Sequence, residues 1–188
     1  RASNFTFLFA PAYHPAIAHV MPVRKALKVP TLFNILGPLL SPARPALQVM
    51  GVNRPSLGEP LIQVMKELGR ERALVVHGSG TDEFAVHGPT QVWELRDGVT
   101  PADLGVSEHP LSALRGGDGA DNAALLRAAF AGSGSEAHRD ALAVNAAAMF
   151  YLHGRVNDFA EGTTLAQALM NDGTVTKWLA THEEANYG

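Results

Sequence analysis

The chain has 188 residues, 46% of them hydrophobic and 18% charged, with a formal net charge of −3 and no cysteine. That length buries a core without covalent staples, and the absent cysteines exclude disulfides, thiolate metal sites and a cysteine nucleophile. Lys and Arg are scattered, so nothing points to nucleic acid or a membrane surface, and no apolar run reaches the ~18 residues that span a bilayer. With no signal-peptide pattern either, a cytoplasmic protein is expected.

The chain opens on RASNFTFLFA, without Met and apolar almost at once, a start that suggests further residues upstream. Phe5 to Phe9 reads as a strand or buried extended chain. Pro15 suits the first turn of a helix with His14 near its N-cap, and Pro22 ends or kinks that helix. A short helix then runs through Val23 to Leu27. TLFNILGPLLSPARP reads as a buried segment broken into a loop at Gly37-Pro38. ALQVMGV reads as a strand. PSLGEPLIQVMKELG has Leu61, Val64, Met65 and Leu68 at helical spacing, with Gly69 as its stop. RALVVHG reads as a second buried strand.

TDEFAVHGPTQVWELRDG alternates on either side of Gly88-Pro89, which predicts a β-hairpin. DNAALLRAAFAG, EAHRDALAVNAAAMFYLHG and DFAEGTTLAQALMNDG read as three helices, each closed by glycine, with a last helix through Trp178. Strand–helix–strand units followed by a run of helices predict an α/β fold with a central mixed sheet flanked by helices. No linker-like tract divides residues 1–188, so a single domain is expected.

Two places carry chemistry. GSGTDEFAVHG follows a buried strand, and in open α/β sheets ligands gather beyond the carboxyl ends of strands. Asp82 and Glu83 supply adjacent carboxylates there, a pair that suits Mg²⁺ together with substrate phosphates. A polar turn would read the same way. In FAPAYHPAIAHVMPVR, Arg24 follows an apolar run, where a buried guanidinium needs an anion and pairs best with a carboxylate. An unbroken helix would hold His14 and Arg24 roughly 15 Å apart. The break at Pro22 lets both reach one pocket. An ordinary surface arginine also fits, and the remaining histidines show no metal-ligand spacing.

FLFAPAYHPAIAHVMPVRKAL, TLFNILGPLLSPARP, QVMGV, ALVVHGSGTDEFAVHGPTQVWELRDG and GGDGADNAALLRAAFAG, in that order, resemble the C-terminal part of the anthranilate phosphoribosyltransferases. The resemblance implies transfer of phosphoribose from phosphoribosyl pyrophosphate (PRPP) to anthranilate with Mg²⁺, a step of tryptophan biosynthesis. It also implies a nucleoside phosphorylase/phosphoribosyltransferase-type catalytic domain, whose N-terminal helical domain and glycine-rich PRPP loop have no match here, and a homodimer.

Carried over by residue, the resemblance makes Ala10, Pro11, His14 and Ile17 contacts of an anthranilate channel and Arg24 the anchor of the anthranilate carboxylate. Gly37 and Pro38 become a turn facing the aromatic ring, and Asp82 and Glu83 the Mg²⁺ ligands. Ile17, Lys28 and Leu40-Ser41 depart from the family's usual residues. Without the PRPP loop, residues 1–188 alone are expected to be inactive. A pyrimidine nucleoside phosphorylase shares the fold, but nothing here resembles its nucleobase-binding lysine and arginine motif. A non-catalytic paralogue on the same scaffold is the other alternative.

Overall fold

A computed structural model describes residues 5–8, 13, 33–95, 98–101 and 103–187. The chain divides into two compact units, Arg1–Pro45 and Ala46–Gly188. In the first, Phe5, Thr6 and Phe7 are irregular and open to solvent, Phe5 at 61% and Phe7 at 76% exposure, so the predicted strand is not formed there. Helix α1, Phe33–Leu39, runs through Gly37-Pro38 instead of breaking at them. Proline removes one donor, yet Leu40 N–H still reaches Leu36 O at 3.0 Å, so the turn closes beyond it.

The second unit holds a four-stranded mixed sheet in the order β1-β2-β3-β4: Leu47–Gly51, Arg72–Gly78, Thr90–Glu94 and Gly98–Pro101. β1 and β2 are parallel, with Leu47 opposite Arg72 and Gly51 opposite Val76. Helix α2, Gly58–Glu67, joins them after a 3-10 turn over Pro55–Leu57. Its buried face is Leu61, Ile62 and Met65, while Val64 and Leu68, expected inside, are exposed. Gly69, at φ +77, supplies the left-handed stop that the sequence predicts.

β3 pairs antiparallel with both β2 and β4. The hairpin therefore lies between β3 and β4, not around Gly88-Pro89. Residues 82–89 form no strand although Phe84, Ala85 and Val86 are buried. Their polar backbone is served by side chains and by other loop backbone: Ala85 N–H donates to Thr90 Oγ1 at 3.0 Å, Val86 O accepts from His109 N–H at 2.6 Å, and Pro89 has no N–H to give.

After a 3-10 turn over Leu111–Leu114 come α3, Gly119–Phe130, α4, Glu136–Leu152, α5, Phe159–Asn171, and α6, Thr174–Tyr187. Gly132, Gly154 and Gly173 follow the first three at positive φ, as the sequence predicts. Asp118 caps α3 in a reciprocal capping box with Asp121. Before α6, the Thr174 side chain and then its backbone N–H hold the Asp172 carboxyl below its ordinary range, with Lys177 adding to this. That support is present above the ordinary carboxylate value and fades as pH falls through the lowered one.

β2 is buried on both faces, as its unbroken apolar run requires. On one face α2 packs against β2 and β3. On the other, Leu74, Val76 and Val92 meet Val144, Ala148 and Leu152 of α4 together with Phe84 and Val86. The opposite side of α4 meets α5 through Ala143, Ala166 and Met170.

The end of α4 is fastened to the sheet by one guanidinium. Arg72 Nη1 donates to Tyr151 O at 3.0 Å and Leu152 O at 2.9 Å, two carbonyls of the last helical turn. Its Nη2 donates to Glu94 Oε1 at 3.1 Å, and Tyr151 Oη donates to Glu94 Oε2 at 2.7 Å. The guanidinium also stands 5.0 Å from the Tyr151 ring centroid. Replacing Arg72 with Met leaves the buried Glu94 without its cation, and denaturant unfolding is expected to show a loss of about 3 kcal/mol. Adding Glu94→Leu removes the stranded charge, so the double variant is expected to lose less than the sum of the single ones.

Candidate functional site

The loop between β2 and β3 is the centre of the candidate site. β1 and β2 run in the same direction and end on Gly51 and Gly78, with both residues on the face covered by α4. A Cβ on Gly51 would overlap the Asp82 carbonyl, and one on Gly78 would overlap the Glu83 carbonyl and Ala85. The backbone of residues 82–85 thus lies directly across the carboxyl ends of two parallel strands, a crossing open only to glycine at 51 and 78.

A tight turn delivers the chain to that crossing. Gly78 and Thr81 exchange backbone hydrogen bonds at 3.1 and 2.9 Å, and Thr81 Oγ1 donates to Gly78 O at 2.7 Å. The two residues between them, Ser79 at φ +46 and Gly80 at φ +92, are both left-handed, the conformation of a type I′ turn. Ser79 bears the strain of a side chain there, and its hydroxyl donates to Pro89 O at 3.0 Å. His77 lies beneath the turn with Nδ1 2.8 Å from Val52 O and Nε2 accepting from Gly80 N–H at 3.4 Å. These two contacts are met together by the neutral ring protonated on Nδ1.

The far side of the crossing is held by α4. Asn145 Oδ1 accepts from Phe84 N–H at 3.2 Å, while Nδ2 donates to Phe84 O at 3.3 Å and to Ala141 O at 2.8 Å. Asp82 and Glu83, between the turn and this contact, are both exposed. Among the described residues neither carboxylate has a hydrogen-bond or ion-pair partner. Glu83 also borders a cavity of ≈ 520 Å³ lined mainly by apolar side chains of α3 and α4, with Asn122, His138 and Asn145 as polar members.

The donor set limits which cations fit to hard, oxygen-seeking ones. Among the described residues no three His, Asp or Glu side chains gather into a metal cage. Two unpaired carboxylates on a rigid backbone match Mg²⁺, which keeps several waters and takes one or two protein carboxylates beside phosphate oxygens. They do not match a closed structural zinc site, which needs four protein ligands.

Of the other sequence-predicted residues, Ala10, Pro11, His14, Ile17 and Arg24 lie outside the described residues. Gly37 and Pro38 occupy the last turn of α1 in the first unit, Gly37 half-buried and Pro38 exposed. Sequence reasoning missed Gly51, Gly78, His77 and Asn145. Asn145 did leave a trace, as a lone amide in the alanine-rich AVNAAA of a helix buried on two sides.

The model of the glycosyl transferase family, a/b domain, matches residues 1–176. The chain belongs to that family. An anthranilate phosphoribosyltransferase of Corynebacterium diphtheriae is 62% identical over 192 residues, covering 99% of this chain and 56% of that protein. The crystal structure of anthranilate phosphoribosyltransferase from Thermus thermophilus superimposes with a TM-score of 0.89 at 39% identity, over 96% of this chain and 55% of that one. The Saccharomyces cerevisiae enzyme in complex with PRPP and Mg gives 0.76 at 26% identity, over 89% and 49%. The chain therefore spans about half the length of the relatives it matches.

The glycine crossing carries its own test. Gly51→Ala forces a methyl group against the Asp82 carbonyl, and an overpacked contact of this kind costs about 1–3 kcal/mol. Hydrogen exchange is expected to loosen the Phe84 and Ala85 amides while the β3 amides keep their protection. Unchanged exchange at 84 and 85 would show that the loop does not depend on that crossing.

Proposed function

We propose that this chain is the C-terminal catalytic part of an anthranilate phosphoribosyltransferase, a Mg²⁺-dependent enzyme that joins anthranilate to PRPP and releases pyrophosphate. The observation that carries this reading is the unpaired Asp82-Glu83 pair on a loop fixed across the ends of β1 and β2, in a chain 62% identical to an enzyme of that name.

In this reading the anthranilate amine attacks C1 of the ribose. The C–N bond forms as the C1–O bond breaks, the electron pair leaves on the pyrophosphate oxygen, and the amine proton passes to water. An aromatic amine is neutral at pH 7, so no strong base is required. The protein's task is positioning and charge stabilisation. Mg²⁺ supplies neutralisation of the departing pyrophosphate.

Each residue then has one task. Asp82 and Glu83 present carboxylate oxygens to the cation. Arg24 holds the anthranilate carboxylate, which fixes the amine toward the sugar. Ala10, Pro11, His14 and Ile17 form the channel wall, and Gly37-Pro38 faces the aromatic ring. The family's glycine-rich PRPP loop has no match in residues 1–188, which span about half the length of the relatives, and two copies of the full-length protein form a homodimer.

The test is a fluorescence assay of the intact enzyme with anthranilate and PRPP, set against thymidine with phosphate. Turnover of the first pair alone is expected. Turnover of thymidine alone, or of neither pair, would overturn the reading. In the same assay, Asp82→Asn with Glu83→Gln is expected to raise the Mg²⁺ concentration for half-maximal rate about tenfold or more.

Arg24→Ala is expected to weaken anthranilate use by about 2–5 kcal/mol in kcat/KM, the cost of breaking a buried charge pair. Its effect on the Mg²⁺ requirement is expected to be small. Unaltered anthranilate KM and kcat would remove Arg24 from the site.

A further inference from the structure

We propose that Asn145 is a positioning residue for the Asp82-Glu83 pair: its side-chain amide locks the Glu83–Phe84 peptide plane and so sets the direction in which Glu83 meets its cation. The inference rests on the reading of that pair as the Mg²⁺ site.

The peptide that follows Glu83 is held from two sides. Its carbonyl, Glu83 O, lies against Gly78 so closely that no Cβ fits between them. Its N–H, on Phe84, donates to Asn145 Oδ1 at 3.2 Å. The next carbonyl, Phe84 O, accepts from Asn145 Nδ2 at 3.3 Å. One side chain thus takes both backbone groups of Phe84, as a neighbouring strand would in a ladder. No strand does so here, since residues 82–89 form none.

Asn145 is itself fixed. Its second Nδ2 hydrogen goes to Ala141 O, one turn back on α4, at 2.8 Å. Turning the amide over would set its oxygen against two carbonyls and its NH₂ against an N–H, so one orientation satisfies all three partners. The neighbouring Val144, Ala147 and Ala148 are fully buried, and the helix end is pinned by Arg72. The amide therefore transmits the placement of α4 to the acidic loop.

Asparagine is the residue that can do this. Aspartate would face Phe84 O and Ala141 O with negative charge. Alanine would leave two backbone groups of the buried Phe84 unmet. Serine keeps the bond to its own helix but falls short of Phe84, so Asn145→Ser removes the clasp with little harm to α4.

The experiment is a Mg²⁺ titration of the intact enzyme at saturating PRPP and anthranilate, using Asn145→Ser, Asn145→Ala, and Asp82→Asn with Glu83→Gln. The Asn145 variants are expected to raise the half-saturating Mg²⁺ concentration about tenfold, with anthranilate KM moving less than about twofold. A purely structural role would lower the melting temperature and leave the Mg²⁺ curve in place. If the acidic variants shift the curve and folded Asn145→Ser does not, this proposal falls alone. If the acidic variants leave the curve unmoved, the cation reading falls and takes the proposal with it.

Discussion

The candidate site depends on a close contact between backbones. Two parallel strands end on glycines, and the chain that leaves the second strand turns back across both ends. With any side chain at 51 or 78 the loop would stand off the sheet. The acidic pair would then ride on a longer, looser excursion. Because the contact involves backbone rather than side chains, it positions Asp82 and Glu83 without occupying their carboxylates.

Helix α4 extends that constraint to the rest of the fold. One face packs Val144, Ala148 and Leu152 on the sheet, and the other packs on α5. Arg72 fixes its last turn, and Asn145 reaches from its middle to Phe84. Asp140, nearer its start, accepts from Gln167 of α5 at 2.8 Å and stands 2.8 Å from His109 Nε2. His109 N–H in turn donates to Val86 O at 2.6 Å. Both ends of the segment from Phe84 to Val86 are therefore tied to one helix, which is why buried but unpaired chain is stable there.

Much of the fold was legible in the sequence. The apolar runs ALQVMGV and RALVVHG, the helical period around Leu61 and Met65, and the terminal glycines each report a local cause. The failures have local causes too. FAVHG alternates like a strand, yet its partners are an asparagine, a threonine and a histidine backbone from elsewhere in the chain, contacts without a sequence period. Gly37-Pro38 reads as a breaker, but the helix forgoes only the one bond that Pro38 cannot donate and closes past it through Leu40 N–H to Leu36 O. In the candidate site, Asp82-Glu83 stands out in the sequence as adjacent carboxylates after a buried strand, a pattern a polar turn shares, and the family resemblance is what assigns the pair to Mg²⁺. The glycines and Asn145 do not stand out, because their roles exist only once strand ends, loop and helix meet.

A pair of adjacent carboxylates adds nothing to stability when neither has a partner. Like charges side by side repel, and exposed acidic groups gain at most a fraction of a kcal/mol from distant cations. Selection for stability alone would pair them with arginine, as the same chain does at Glu94. Instead the loop gathers a strained Ser79, two strand-end glycines and an amide clasp around the backbone, and leaves both acids open to solvent. Strain and rigidity in the backbone, beside side chains left free, are what the proposed cation site would require. On the proposed Mg²⁺ reading, a cation there would meet two oxygen donors on a loop already ordered by folding, so the cost of fixing the loop would fall on folding rather than on binding.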